Sequence, residues 1–275
     1  MIRALYTAAS GMLIGMRQQD VVADNIANSS TVGYKADQSA QTAFAGVLAR
    51  RSIPNEGPVP GRFDEVIGQV GTGAFVENVR TFLGQGAERE TGLTLDVMVQ
   101  GDGFFVVETE EGIRYTRDGH FDRDAEGRLI SADGAFILDE NNQPITLTTD
   151  KIRIRMNGDV IQLIQTEVPQ PDGSTFIDVN EEPVARLRLV NLNAEDLIRA
   201  GQSKFTIPDG AAVTAIDMEA GRTFLIQGSL EEANVNVGQT ATQMYSVART
   251  FSSSQRVFSE INKTLETAVS DLGRM

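Results

Sequence analysis

The chain has 275 residues, of which 41% are hydrophobic, and a formal net charge of -14 at pH 7. This composition is that of a folded globular protein. The acidic balance argues against nucleic acid or an anionic membrane as the main partner, because phosphate groups are bound by clustered lysine and arginine. The absence of cysteine excludes disulfides and thiolate metal sites, and no apolar run is long enough to predict insertion into a membrane.

The charge is distributed unevenly along the chain. Residues 1–45 carry equal numbers of basic and acidic side chains and residues 231–275 carry one acidic group in excess, so nearly all of the negative charge lies between them. Because burial of an unpaired charge is costly, we expect the near-neutral ends to be buried and the acidic middle to be solvated.

The first predicted element is a helix from about residue 3 to Ala27. Three-four spacing places one stripe on a single helix face, at Leu5, Ala9, Met12, Met16, Gln19, Ala23 and Ile26. A row of small residues lies beside it, at Ala4, Ala8, Gly11 and Gly15. Since glycine inside a helix costs about 1 kcal/mol relative to alanine, this row favours close packing on more than one neighbour. A secretion signal is the alternative, but the helical spacing continues through Ile26.

Polar turn formers end this helix within residues 25–35. Their side chains can bond to nearby backbone and Gly33 permits a sharp turn, so the residues expected to shape the helix exit are Asn25, Asn28, Thr31 and Gly33. Tyr34 then restarts an apolar pattern. Residues 36–51 could form a short helix or an extended arm, and the Gly- and Pro-rich residues 52–73 predict a connector with little helix.

The middle of the chain, from Ala74 to Gln227, has the pattern of short strands separated by tight turns. Alternating segments such as LysIleArgIleArgMet predict strands with one wet face. Turn dipeptides recur at Asp102-Gly103, Asp118-Gly119, Glu126-Gly127, Asp133-Gly134, Asn157-Gly158, Asp172-Gly173 and Asp209-Gly210. This spacing indicates an antiparallel β domain, either a barrel or a sandwich, with a short helical turn possible at residues 194–200.

The last predicted element is a long helix from Gln239 to Leu272. Its stripe has the same three-four spacing, at Ala241, Met244, Ala248, Phe251, Gln255, Phe258, Asn262, Leu265, Val269 and Leu272. Val247, Ile261 and Ala268 lie beside this stripe, so the apolar face is wider than one partner helix covers.

These elements predict an α+β fold. Paired N- and C-terminal coiled-coil helices form a discontinuous helical domain (residues 1–45 and 230–275), and a connecting segment (residues 46–84) leads to a central antiparallel β-rich outer domain (residues 85–229).

Candidates for chemistry are few. His120 is the single histidine and is interpreted as a residue on the surface of a turn or strand, and neither a nucleophile motif nor a phosphate-binding loop is complete. The acidic pairs, including Glu231-Glu232, are interpreted as solvated loops. An enzyme on a β scaffold is therefore disfavoured, and no cofactor is expected.

A calcium loop is the strongest competing motif. Asp122, Asp124, Glu126 and Asp133 match positions of an EF-hand loop. The twelfth position is Asp instead of the bidentate Glu, and both flanks look like strands, so an ordinary β-hairpin turn is favoured. The alternative function is a calcium-binding extracellular β-rich adhesive protein with coiled-coil ends.

The chain resembles the flagellar axial proteins that build the rod and hook of the bacterial basal body. The N-terminal resemblance lies in Ser10-Gly11-Met12, in Asp24-Asn25-Ile26-Ala27-Asn28 and in Thr31, Gly33, Tyr34 and Lys35. Residues 95–107 and the segments that follow look like the β region of rod proteins. The similarity is greatest to the distal rod proteins and next greatest to the proximal ones. Residues 227–237 resemble the segment that introduces their C-terminal helix, although residues 237–251 depart from the usual pattern.

The resemblance implies a structural protein of the basal body that is exported across the inner membrane by the flagellar type III apparatus without a cleaved signal. It implies self-assembly into a tubular, torque-transmitting shaft, with copies of itself and other rod and hook proteins as partners. Combined with the helical stripes, it predicts an assembly interface at Leu5, Ala9, Met12, Met16, Ala23, Asn25, Ile26, Asn28, Thr31, Gly33, Tyr34, Met244, Ala248, Phe251, Phe258, Leu265 and Leu272.

Overall fold

The computed structural model describes residues 2–55, 61–149, 151–169, 175–201, 203–208, 210–218 and 221–273. Contacts within the chain divide it into two compact units. The helical unit comprises Met1–Ile26, Asp37–Arg80 and Val237–Met275, and the β unit comprises Ala27–Ala36 and Thr81–Asn236.

The helical unit contains two long helices, α1 (Ile2–Ala27) and α2 (Val237–Leu272). Its strands are β1 (Asp37–Ala43), β2 (Val47–Asn55), β3 (Gly61–Val70) and β4 (Ala74–Thr81). The first half of the β unit contains β5 (Glu88–Glu90), β6 (Val97–Gln100), β7 (Phe104–Thr109), β8 (Gly112–Thr116), β9 (Phe121–Arg123), β10 (Leu129–Ser131) and β11 (Phe136–Ile137). The second half contains β12 (Ile152–Ile154), β13 (Asp159–Pro169), β14 (Thr175–Arg186), β15 (Leu189–Asn191), β16 (Ile198–Arg199), β17 (Lys204–Thr206), β18 (Thr214–Ala215), β19 (Phe224–Gln227) and β20 (Ser229–Glu231).

The two helices pack antiparallel along a line that we call the α1–α2 seam. Gly11 lies against the side chain of Ser254 and Gly15 lies against Phe251, so progress along α1 corresponds to moving backwards along α2. A Cβ atom added at Gly15 would lie 3.1 Å from Cβ of Phe251. The row of small residues on α1 therefore permits the close approach that its composition predicts.

The seam uses one edge of the apolar face that was predicted for α2. The less exposed stripe of α2 runs through Met244, Val247, Phe251, Ser254, Phe258, Ile261, Leu265 and Ala268. Gln255, Asn262 and Val269 of the predicted stripe are exposed in the single chain, so α1 does not cover them and their contact with neighbouring subunits stays a prediction. The apolar face is wide enough for two neighbouring stripes of the same period, and packing on α1 selects the one that contains Val247 and Ile261.

The described residues 37–55 and 61–81 form two two-stranded ribbons, and we call these residues the arm. β1 pairs with β4, and β2 pairs antiparallel with β3 through a register shift between Ala49 and Arg50. The extended arm is thus confirmed for residues 36–51 and the short helix is wrong. The described part of residues 52–73 contains strand and no helix, which agrees with the little helix predicted there, and its role as a connecting segment stays a prediction. Glycine and proline weaken a strand locally, but pairing with a neighbouring strand supplies the backbone hydrogen bonds of a ribbon.

The β unit is built from antiparallel strands, which confirms the predicted fold class. Its largest sheet has the strand order β16-β17-β8-β7-β11-β10-β9, with β15 pairing to both β7 and β18. A second sheet has the order β12-β13-β14, and two further pairs join β6 to β19 and β5 to β20. Register contacts in these pairings are antiparallel.

Strand β7 lies at the centre of the core because both of its faces are buried. Phe105 and Val107 belong to the larger apolar cluster, while Phe104 and Val106 belong to a smaller one with Phe205. A strand covered on both faces reads as a continuous apolar run, which explains the sequence PhePheValVal.

The turns are largely as predicted, with one correction. Gly127, Gly134 and Gly158 have φ of +86°, +84° and +87°, which glycine adopts without the steric cost of a side chain. The turns predicted at residues 172 and 209 lie outside the described residues. The helical turn predicted at residues 194–200 is present only at residues 194–196, where the Asp196 N–H donates to the Asn193 carbonyl at 3.1 Å, since strand β16 ends this segment by pairing with β17. No helix in the described ranges is long and apolar enough to cross a membrane.

Candidate assembly surfaces

The helix residues predicted for the assembly interface are only partly covered by their own chain. Met16 and Ala23 are exposed, and the others are half-buried, at Leu5, Ala9, Met12, Ile26, Met244, Ala248, Phe251, Phe258 and Leu265. The side chain of Leu272 lies outside the described part of the chain. These residues thus retain apolar surface that their own unit leaves uncovered, and their place in an assembly interface stays a prediction.

Further apolar side chains on the helices were missed by the sequence interpretation. Tyr6 and Leu13 on α1 are exposed, and so are Tyr245 and Val257 on α2, with Tyr245 at 80% exposure. The signal was present in the sequence, because Tyr6 and Leu13 are seven residues apart and share a helix face. They lie outside the stripes that were predicted for the two helices.

A groove lies between α1 and the arm, the described part of residues 37–81, in the helical unit. It has a volume of 540 Å³ and is lined by Ser10, Leu13, Ile14 and Arg17 of α1 together with Phe44 and residues 74–79. The rings of Phe44 and Phe75 stack with centroids 5.4 Å apart. This groove was not predicted from the sequence, because its walls come from segments that are distant in the chain.

The side chain of Asn25 ties the end of α1 to the start of the arm. Its amide nitrogen donates to the carbonyl oxygen of Asp37 at 2.8 Å, and its oxygen accepts from the Asp37 N–H at 2.9 Å. This paired bond is the one that two extended backbones would form, so Asn25 substitutes for a strand partner at the helix exit.

The exit loop itself belongs to the β unit. Thr31 N–H donates to the carbonyl of Asn28 at 3.1 Å, and Tyr34 N–H donates to the carbonyl of Thr31 at 3.3 Å, so two turns follow in succession. Gly33 has φ of +66°, and a Cβ atom there would lie 2.4 Å from the carbonyl carbon of Arg117. Only glycine satisfies both the left-handed backbone and this close approach.

Tyr34 is buried and lies beneath a cation. The guanidinium of Arg199 sits 4.5 Å from the centroid of the Tyr34 ring, and its Nη2 donates to the Lys35 carbonyl at 2.7 Å. Arg199 also lies 5.3 Å from the ring centroid of Phe205. Cation–π contacts that exclude water are stronger than exposed ones, so Arg199 fixes the exit loop on the sheet.

Lys35, Arg117 and Glu231 form a buried charged cluster in the β unit. Lys35 Nζ lies 2.6 Å from Glu231 Oε1, and Arg117 Nη1 lies 3.3 Å from Glu231 Oε2. The side chains of Lys35 and Glu231 are each 1% exposed. The interpretation of Glu231 as part of a solvated loop is therefore wrong, whereas its neighbour Glu232 is exposed.

The cluster also satisfies backbone groups of three other segments. Lys35 donates to the Gly84 carbonyl at 3.0 Å, and Glu231 accepts from the N–H of Gly86 at 2.7 Å. Arg117 donates to the carbonyl of Gly101 at 2.8 Å. The charged groups thus link segments that are far apart in sequence.

Burial sets the electrostatics of the cluster. Desolvation lowers the pKa of Lys35 from its ordinary value, and the nearby Glu231 carboxylate opposes this effect. Desolvation likewise lowers the pKa of Arg117. Two cations depend on one carboxylate, so loss of the Glu231 charge would leave both without a close anionic partner in the cluster.

The calcium candidate covers the β9–β10 hairpin turn and the turn after β10, and three of its four carboxylates, at Asp124, Glu126 and Asp133, pair with cations. β9 and β10 flank the hairpin turn in antiparallel register. Asp124 accepts from Arg128 Nε at 2.7 Å, and Asp133 forms an ion pair with Lys204. Across the described ranges, no three His, Asp or Glu side chains converge as metal ligands. The turn prediction is confirmed, and Asp122, Asp124, Glu126 and Asp133 do not form a common site.

His120 is partly exposed, as expected, and its orientation is determined by a buried carboxylate. His120 Nδ1 lies 2.6 Å from Asp96 Oδ1, and the two residues form an isolated antiparallel bridge.

Comparison with known proteins shows similarity over nearly the whole chain. It is 28% identical to the flagellar basal-body rod protein FlgG of Bacillus subtilis (strain 168), with 98% of each chain covered. It is 27% identical to the flagellar hook-basal body complex protein FlhO of the same organism over the full length of both. It is 28% identical to the flagellar basal-body rod protein FlgF of Mesorhizobium japonicum, with 98% of each chain covered.

Three models of flagellar families match successive parts of the chain. The "Flagella basal body rod protein" model matches residues 5–35, and the "Flagellar hook protein FlgE/F/G D1 domain" model matches residues 98–162. The "Flagellar basal body rod FlgEFG protein C-terminal" model matches residues 226–271. The chain belongs to the flagellar rod and hook protein family.

In this member of the rod and hook family, the matched segments contain the buried charged cluster. Lys35 is the last residue of the N-terminal match, Arg117 lies within the central match, and Glu231 lies near the start of the C-terminal match. The three segments that the family models recognise are thus joined through charged side chains inside the β unit.

Proposed function

We propose that this flagellar rod and hook protein is a structural subunit of the basal-body rod that assembles through its terminal helices into a tubular, torque-transmitting shaft. The single observation that carries the proposal is the uncovered apolar surface on both helices. The rod proteins among its relatives support a place in the flagellar basal body with other flagellar components as partners.

The energetics favour assembly as the event that completes the helices. Isolated helices are marginal in water, and tertiary packing of an apolar face supplies most of their stability. Fully burying a Leu, Phe or Met side chain contributes about 1.5 to 3 kcal/mol. Leu13 and Val269 are more than half exposed in the single chain, so neighbouring subunits would gain this contribution by covering them.

The same proposal includes the finer assignments that family membership suggests. Residues 1–45 and 230–275 would form the assembly domain, residues 46–84 the connecting segment and residues 85–229 the outer domain. The protein would be exported across the inner membrane by the flagellar type III apparatus and would act mechanically, without catalysis. Either the distal or the proximal level of the rod fits this role, with the distal level favoured.

The test is incorporation of tagged variants into basal bodies. Leu13→Asp and Val269→Asp place a charge on the exposed helix faces, and Ile113→Asp is the matched control because Ile113 is an exposed apolar residue of the β unit. We expect all three variants to fold and only the control to appear in purified basal bodies. Incorporation of both helix variants at the wild-type level would contradict the proposal.

A further inference from the structure

One asparagine joins three segments at which the chain enters or leaves the β unit. The side-chain oxygen of Asn234 accepts from the N–H of Ala36 at 2.7 Å. Its amide nitrogen donates to the carbonyls of Phe82 and Gly84, at 2.8 and 2.7 Å. Ala36 ends the exit loop, Phe82 follows the arm and Asn234 precedes α2. Because both amide hydrogens and the oxygen are used, no other side chain of this size could make the same three bonds.

Backbone hydrogen bonds join the same segments. Phe82 N–H donates to the carbonyl of Ala36 at 2.7 Å, and Gly33 N–H donates to the carbonyl of Glu231 at 2.8 Å. Glu232 N–H donates to the carbonyl of Ala87 at 2.8 Å. We name residues 33–36, 82–87 and 231–234 the exit junction.

The exit junction also contains the ion pair that ties its segments together. Lys35 belongs to the first segment and Glu231 to the third, while the N–H of Gly86 in the second segment donates to Glu231. Each of these bonds joins two groups of the β unit. The bonds named here therefore do not depend on residues of α1, α2 or the arm.

We infer that the exit junction closes in the unassembled chain, before the terminal helices have partners, with Asn234 as its main positioning residue. The junction holds together the points from which the arm and α2 emerge, so they order from fixed positions when a subunit is added. This inference rests on the proposed function, because it concerns the state of the subunit before assembly.

Hydrogen exchange on the full-length, unassembled protein tests the inference directly. We expect the amides of Gly33, Ala36 and Phe82 to exchange at least about tenfold more slowly than those of α1 and α2, since the junction keeps its bonds while the helices open. Equal exchange rates for the junction and the helices would overturn the inference. Absence of the wild-type protein from basal bodies would instead refute the proposed function and would leave the exchange result standing.

A variant pair then tests Asn234 itself. Asn234→Ala removes the three side-chain bonds, and Asn193→Ala is the control because Asn193 is an exposed asparagine of the same unit. We expect Asn234→Ala to speed exchange at Ala36 by about tenfold and to reduce incorporation, with strand β7 still protected. Unchanged exchange and incorporation would refute the role of Asn234. If Asn234→Ala unfolds and β7 loses its protection, the exchange rates of junction and helix amides in the wild-type protein decide whether the inference holds.

Discussion

Replacing Glu231 by glutamine tests how much the negative charge of Glu231 contributes to the stability of the buried charged cluster. Glutamine keeps the shape of the side chain and an oxygen that can accept from the N–H of Gly86, but it removes the charge that faces Lys35 and Arg117. The adjacent Glu232→Gln is the matched control, because Glu232 is exposed. The two variants therefore differ in burial and not in the chemical change.

The expected loss follows from burial. Removing one partner of a buried ion pair costs about 3 to 5 kcal/mol, because the other charge stays in a medium that solvates it poorly. The side chains of Lys35 and Glu231 are each 1% exposed, so solvent screening does not reduce this range. A glutamine oxygen can still accept hydrogen bonds from Lys35 and from the N–H of Gly86, which limits the loss. We therefore expect the lower end of the range, about 3 kcal/mol.

Thermal unfolding of the full-length protein measures this loss. A domain of the size of the β unit changes its melting temperature by about 2 to 4 °C for each kcal/mol, which predicts a decrease of about 6 to 12 °C for Glu231→Gln. Glu232→Gln should change the free energy of unfolding by no more than about 0.5 kcal/mol. Equal melting temperatures for the two variants would refute the electrostatic reasoning, and so would a loss that disappears in high salt.

Three further substitutions probe other parts of the molecule. Gly33→Ala should lower the free energy of unfolding by more than about 2 kcal/mol in urea titrations, because a left-handed backbone and contact with the backbone of Arg117 both oppose a Cβ atom. A loss below about 0.5 kcal/mol would contradict this prediction. Gly15→Leu places a branched side chain in the α1–α2 seam and should abolish incorporation into basal bodies. Gly11→Ala is the control and should be tolerated, because its added Cβ meets only a rotatable serine hydroxyl. Equal incorporation of the two variants would contradict the packing described for the seam. The hydrogen bond from Arg186 lowers the pKa of Asp159. The stability lost in Asp159→Asn should therefore be present above the ordinary pKa of an aspartate and vanish as the pH falls through the lowered pKa of Asp159. Denaturation of both proteins at several pH values measures this difference, and a difference independent of pH would refute the prediction.

Local sequence determined the type and approximate limits of the main elements. The spacing of apolar residues predicts both helices because a helix period is a property of neighbouring residues. Turn positions such as Gly127 and Gly158 were predictable for the same reason, since a positive φ constrains the residue itself. The family resemblance was likewise carried by short segments, and the family models match in the same parts of the chain.

Strand pairing and helix packing could not be predicted in this way. Residues 52–73 have the Gly- and Pro-rich composition of a connector, yet most of their described part lies in β2 and β3, which supply each other's hydrogen bonds. The seam on α2 follows Val247 and not Val269, although both fit the period. A periodic pattern defines a face, and only the partner determines which edge of that face is covered.

Glu231 and Glu232 show most clearly what local sequence does not predict. The sequence presents two identical neighbours in a polar segment, and nothing local distinguishes them. Strand β20 pairs with β5 and places Glu231 beside Lys35 and Arg117, while Glu232 remains exposed. The sequence by itself determined that carboxylates stand at the entry to the last helix. Only the tertiary structure decided which one is buried, because its counter-charges come from residues 35 and 117.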